Sequence, residues 1–220
     1  AITGGNDADV TLISLGETQD IDIDFPVQSA GEGDISVTSQ DEIKFEANSN
    51  IQAGGGVVTL SAGGDIDGDG NDVTVELSTG GGLLRITSVD NVTDFTTDAG
   101  KLIIDEAFGA VEISNDGSLN VIDVNVDGDV TLTALDPGSL FIDRIVSGGE
   151  VELMAAQHIL ALSDGTNITA ESLAIEDALI VQGQAAASPL VTDVNSLEMS
   201  NITTSVALTN VSDLEIRQAE

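Results

Sequence analysis

Three heptads decide the fold: GVVTLSA at 56–62, GDVTLTA at 128–134 and GEVELMA at 149–155. In each, a glycine is followed two and four residues later by aliphatics and then by alanine. Aliphatics two apart place one face of a short strand inward. Glycine permits the tight bend that brings the chain into it.

The heptads are instances of a wider pattern, Gly-x-aliphatic-x-aliphatic. It recurs at Gly33-Ile35-Val37, Gly56-Val58-Leu60, Gly82-Leu84-Ile86, Gly109-Val111-Ile113, Gly128-Val130-Leu132 and Gly149-Val151-Leu153. The glycines are 23, 26, 27, 19 and 21 residues apart. Eight residues after the first aliphatic a third follows: Ile43, Ile66, Val92, Leu119 and Ile159. The Val130 copy instead reaches Leu140 after ten. The pattern persists without glycine at Leu173, Ile175 and Val181, and at Val206, Leu208 and Leu214. Val10 and Leu12 form a weak first copy. One such coil cannot bury its apolar side alone, whereas stacked coils form a continuous aliphatic column. The prediction is an all-β chain, a parallel β-helix of roughly 9–10 coils of about 23 residues, over residues 1–220 as a single segment. At ~4.8 Å per coil the rod is on the order of 45 Å long. A β-sandwich is the competing architecture, but it normally packs bulky aromatics between its sheets. Here there are five Phe and no Trp or Tyr. The stretch Glu150–Leu162 has helical propensity, yet Val151, Leu153 and Ile159 hold the coil spacing, so a coil is expected there.

The G-x-V-x-L-x-A form resembles the coils of filamentous haemagglutinin-like adhesins, the shafts of large bacterial surface proteins. The stretch Ser188–Leu197 (SPLVTDVNSL) resembles a recurring coil variant of the same proteins. The resemblance covers most of residues 33–216. It implies a right-handed helix, in line with the usual handedness of parallel crossovers, and an extracellular or cell-surface role in adhesion or fibre building. The family's secretion domain carries an Asn-Pro-Asn type motif that this sequence lacks, so the expectation is shaft rather than secretion signal. The opening residues Ala1–Gly5 are no signal peptide, and the chain reads as an excised or mature piece.

Thirty-nine acids face five bases, for a net charge of −34. That disfavours nucleic acid and anionic membranes as partners. It fits solubility in a saline or extracellular medium, or binding of divalent cations. No apolar run approaches the ~18 residues that would span a bilayer. Cysteine is absent, so disulfides and Cys-based metal sites are excluded.

The strongest local signal is Asp65-Ile66-Asp67-Gly68-Asp69-Gly70-Asn71-Asp72. Alternate carboxylates followed by glycine form the front half of a calcium loop, with Glu76 at the twelfth position. Asp72 at the eighth position departs from that pattern, since an aliphatic is usual there. Asp65, Asp67, Asp69 and Asp72 are the expected Ca2+ ligands; the alternative is an Asp/Gly-rich turn between coils. Asp20-Ile21-Asp22-Ile23-Asp24-Phe25 alternates strictly, a strand with its acids on one face, where stacked like charges repel. Sequons stand at Asn91, Asn167, Asn201 and Asn210.

No catalytic set is expected. The sole histidine, His158, lies between core positions, and there is no Trp or Tyr platform for a sugar ring. The glycine runs at 54–56 and 80–82 precede strands without a following lysine or helix, and read as turns. The leading function is a structural or adhesive fibre segment, self-associating end to end or with neighbouring coils, or contacting host or matrix glycans and proteins. The alternative is a carbohydrate-active β-helix with an acidic, calcium-dependent site.

Overall fold

The structure is a computed structural model. It describes residues 2–16, 19–46, 49–68, 77–79, 81–183 and 188–218. Among these are 26 strands and no helix, so no helix long and apolar enough to cross a membrane is present. Every strand pairing is parallel, with each strand lying on one a coil away in sequence. This is a β-solenoid of about nine turns of roughly 22 residues. The all-parallel ladder excludes the sandwich, which is antiparallel.

One ladder runs the length of the stack: Ile21, Ile43, Ile66, Val92, Val111, Val130, Val151, Leu173, Leu197 and Ile216. We call this the first face. A second ladder links Leu12, Val37, Leu60, Ile86, Ile104, Val124, Ile145, Ile168, Thr192 and Asn210 on another face. A third face begins with Ile2, Val27, Ile51 and Leu77. Between the end coils these ladders are buried apart from Leu77, whose side chain is outside the description, and the interior is almost entirely Ile, Val, Leu and Ala. Two of the five phenylalanines, Phe45 and Phe95, meet inside, with ring centroids 5.2 Å apart and planes tilted at 54°.

The glycine pattern needs one correction. The sequence spacing places Gly109-Val111 one coil above Gly82-Leu84. In the structure Leu84 pairs with Leu102, and Val111 pairs with Val92 on the first face. The glycine copies therefore form two stacks, 33–56–82 at the entry to Ile35, Val58 and Leu84, and 109–128–149 at the entry to the first face. The cause is a shortening of the coil. The strands Lys101–Ala107 and Leu119–Val126 run through a corner without a loop, so coils there take 18 or 19 residues. The glycines within each stack answer a steric demand. A Cβ on Gly56 would stand 2.5 Å from the Gly33 carbonyl oxygen, and one on Gly128 2.6 Å from that of Gly109. The later copies behave similarly. Leu173, Ile175 and Val181 fall on Val151, Leu153 and Ile159 as expected, and Leu140 joins Leu119 to Ile159. Val206, however, lies on Val181, and Leu197 takes the first-face place above Leu173. The segment 150–162 is two strands, Glu150–Ala155 and His158–Ala161.

Candidate functional site

Asp65 and Asp67 flank the buried Ile66 and so point outward. Their engagements are local. Asp65 Oδ1 accepts from the Asn91 backbone N–H at 3.0 Å and from Asn91 Nδ2 at 2.8 Å. Asp67 Oδ1 accepts from the Thr93 hydroxyl at 3.0 Å. Asp69 and Asp72, with Asn71 and Glu76, lie outside the described residues. Among the described residues no three His, Asp or Glu side chains gather in a way that could hold a metal ion.

The Asp65 arrangement belongs to a series. Asp9 Oδ1 accepts the Asp34 N–H at 3.0 Å, Asp34 Oδ1 the Val57 N–H at 2.8 Å, and Asp129 Oδ1 the Glu150 N–H at 2.8 Å. Asn91 Oδ1 takes the Ala110 N–H at 2.8 Å and Asn167 Oδ1 the Val191 N–H at 3.1 Å. Each acceptor sits just before a strand and takes the N–H of the same position one coil on. N–H groups at the entry to a strand are thereby given an acceptor in the coil before. Of these acceptors the sequence marks Asp65 as a metal ligand and Asn91 and Asn167 as sequons, and leaves Asp9, Asp34 and Asp129 to the overall acidity. The signal that marks them is an Asx directly before a β-branched residue, as in Asp9-Val10, Asp34-Ile35, Asp65-Ile66, Asn91-Val92, Asp129-Val130 and Asn167-Ile168.

Of Asp20–Phe25 only Ile21–Ile23 forms a strand, with Ile23 buried; Phe25, which strict alternation would turn inward, is 66% exposed. Asp20 lies beneath Glu42, whose N–H its Oδ1 accepts at 3.4 Å, so acid does stand over acid there, while Asp22 faces a base. Lys44 pairs with Asp22 in the ladder and stands between it and Asp67. Lys44 Nζ lies 2.9 Å from Asp20 Oδ2 and 2.5 Å from Glu42 Oε2. The hydrogen bond from Lys44 holds the Asp20 carboxyl below its usual value. Arg85 and Arg144 reach Asp105 and Asp123 one coil away in the same manner. Glu152 lies between Thr131 and Ala174 on the first face. Partial burial, then the carboxylates of Glu176, Glu150 and Glu112, push its pKa up, against a hydrogen bond from the Thr131 hydroxyl.

His158 lies on the outward, half-buried side of its strand and pairs with Ile180. Two of the sequon asparagines are built into the fold. Asn167 is fully buried and donates to the Asp143 carbonyl at 3.1 Å, and Asn210 bonds Val194 through both side-chain atoms. Asn91 fills the corner described above, while Asn201 is exposed and donates to Asp177.

A hollow of about 410 Å³ opens on the first coil and is lined by Ile2, Leu12, Ile13, Ile21, Ile23 and Phe25. A polar cleft of about 330 Å³ near the last coil is lined by Glu171, Asn195, Glu215 and Arg217. No known family model, no curated protein and no solved structure matches the chain.

Proposed function

We propose that the chain is a segment of an extracellular β-solenoid shaft, of the filamentous haemagglutinin-like kind, whose work is structural and adhesive. The observation that carries this reading is the unbroken ladder from Ile21 to Ile216. Each coil spends its inward side chains on the stack and leaves its outward ones for display. The outward surface is dense in carboxylates, hydroxyls and amides, which suits contact with glycans or matrix proteins in saline media. Calcium, where it binds, belongs to the acidic segment Asp65–Asp72.

The test is incubation with a panel of acidic and neutral polysaccharides, with and without calcium, following both retention and cleavage. Retention without turnover is expected. Substrate-specific turnover that disappears when outward carboxylates such as Glu152 are neutralised would replace this reading with the carbohydrate-active one.

A further inference from the structure

One flank of the stack departs from the acidity of the rest. In the middle coils four short stretches lie on one another in order: residues 119–121, Leu140–Ile142, His158–Ala161 and Ile180–Gln182. Their inward residues belong to the core. Their outward residues are Asn120, Phe141, His158, Leu160, Ile180 and Gln182, all partly buried. None is an acid, in a chain that has 39. The register sets Asn120, Phe141, Leu160 and Gln182 in one row along the rod, with His158 and Ile180 in the row beside it. Further coils continue the rows on both sides, Lys101 on Asn120 and Ser205 on Ile180, so the face is open laterally.

The composition of the face says what fits it. Phe141 supplies an outward ring, with Leu160 and Ile180 widening the apolar floor. Among the described residues the His158 ring and the Gln182 amide make no hydrogen bond, and Asn120 spends only its Nδ2, on the Gly100 carbonyl at 3.1 Å. A purely apolar partner would strand these donors and acceptors, which is costly once they are buried. A second copy would bring −34 against −34. Four coils at ~4.8 Å by three residues at ~3.3 Å make a strip of about 200 Å², far below the ~800 Å² per partner of a stable protein interface. A sugar chain meets every condition. The C–H side of a pyranose ring suits an aromatic face, whose π cloud is negative, and its hydroxyls suit amides and imidazole. Exposed acids at the entering corners, Asp116, Asp136 and Asp177, bound the strip and disfavour an anionic chain.

We infer that this flank is a binding strip for a neutral polysaccharide, which lies along the rod with one sugar ring stacked on Phe141 and its neighbours hydrogen-bonded to His158 and Gln182. This rests on the reading of the chain as an adhesive shaft and names the ligand class and the place where it is held. Ligand sites of this kind combine apolar and aromatic side chains with a few placed polar groups.

The test is electrophoresis of the chain through gels containing a soluble β-glucan, a galactomannan or alginate, with titration calorimetry on the gel that retards it. Retardation by a neutral gel and free passage through alginate are expected. Phe141→Ala weakens neutral binding by about tenfold. Phe141→Leu keeps an apolar side chain but no ring, so it is expected to lose nearly as much, while Phe141→Tyr keeps binding. His158→Ala and Gln182→Ala weaken it by about threefold each. Phe108→Ala is the control, because Phe108 is 51% exposed at a different corner. Phe141 is outward, so the melting temperatures of these variants stay near the parent's. Passage through every neutral gel overturns the inference, as does retardation that survives Phe141→Leu or that Phe108→Ala abolishes equally. Preference for alginate that disappears in Lys101→Ala would make the ligand an acidic glycan. Concentration-dependent dimers in sedimentation velocity that Phe141→Ala dissolves would make the occupant a second copy. Turnover of a bound glucan sinks the shaft reading and leaves the strip standing, whereas retention that ignores Phe141 without turnover does the reverse.

Discussion

Replacing Asn115 by alanine tests whether interior amides hold the corners of the stack. Asn115 is fully buried at the end of a first-face strand. Its Oδ1 accepts the Ala99 N–H at 2.9 Å and the buried Thr97 hydroxyl at 3.3 Å. Its Nδ2 donates to the carbonyls of Asp116 and Gly117 at 3.4 and 3.3 Å. Alanine leaves the Ala99 N–H without its acceptor, which costs about 1–3 kcal/mol for a buried group. The Thr97 hydroxyl can rotate, and the two longer bonds are weak, so the three together add less than the amide does. The sum is ~2–4 kcal/mol, or roughly 30- to 1000-fold in the opening equilibrium. In a stack each coil leans on its neighbours, so the loss is concentrated locally. Amide hydrogen exchange is therefore the assay, read at Ala99 and in the coils to either side. The comparison is Asn125→Ala, whose exposed side chain makes one 3.4 Å bond to the Asp105 carbonyl and whose loss is expected to stay within ~0.5 kcal/mol. If Ala99 exchanges at the parental rate in Asn115→Ala, or if that variant is no weaker than Asn125→Ala, the corner amides are not structural.

Asp65→Ala is expected to cost about 1–2 kcal/mol by stranding the Asn91 N–H, equally in calcium and in chelator, and Asp65→Asn to be nearly silent. A melting temperature that depends on calcium in the parent and loses that dependence in both variants would instead make Asp65 a metal ligand. Phe45→Leu and Phe95→Leu each destabilise the stack, and the double variant recovers about 0.5–1.5 kcal/mol of coupling if the tilted pair at 5.2 Å matters. Glu152 has a folded-state pKa above its ordinary 4.5, so protonation favours the fold. That contribution is complete below the unfolded-state value and is lost as pH rises through the folded one. Glu152→Gln therefore melts about 1–2 °C above the parent at pH 7, with the difference closing toward pH 4; an unchanged difference at both values refutes it.

The fold was legible because face and coil leave separate marks. Alternation of two residues shows at Ile35-Val37 or Val130-Leu132, and recurrence near 22 residues shows in the spacing between copies. The order of faces within a coil was not legible from glycine. Glycine marks a corner where one backbone crosses closely over another, and every corner of a three-faced coil can have such a crossing. Between Gly82 and Gly109 the crossing passes from one corner to another. The 27-residue interval there looks like one long coil, yet it is a short coil of 18 residues plus a change of face. Length was misleading for the same reason. The coil from Ile66 to Val92 takes 26 residues and the next takes 19, while the inward residues keep their ladder throughout. A solenoid absorbs insertions at its corners, so the distance between motifs carries little information about which face they share.

The acidity invites a similar revision. The sequence reads Asp through charge, as solvation or metal ligand, and Asn91 and Asn167 as sequons, because composition and local spacing do not register hydrogen bonding across a coil. The corner acceptors show a second use. A parallel coil must bend between faces, and the first N–H after the bend takes a side-chain acceptor from the coil before. A short side chain with an oxygen one bond beyond Cγ, placed before the strand, reaches the N–H of the coil above. Asp and Asn both do this, which is why Asn91 and Asn167 perform the same task as Asp34 and Asp129. The requirement is for the oxygen, not for the charge. Choosing Asp at so many corners therefore adds negative charge that the fold does not need, and the five bases must be placed where it would otherwise accumulate. Lys44, Arg85 and Arg144 each bridge to a carboxylate in an adjacent coil. Arg217 has its acid on its own strand, Glu215, at 3.8 Å.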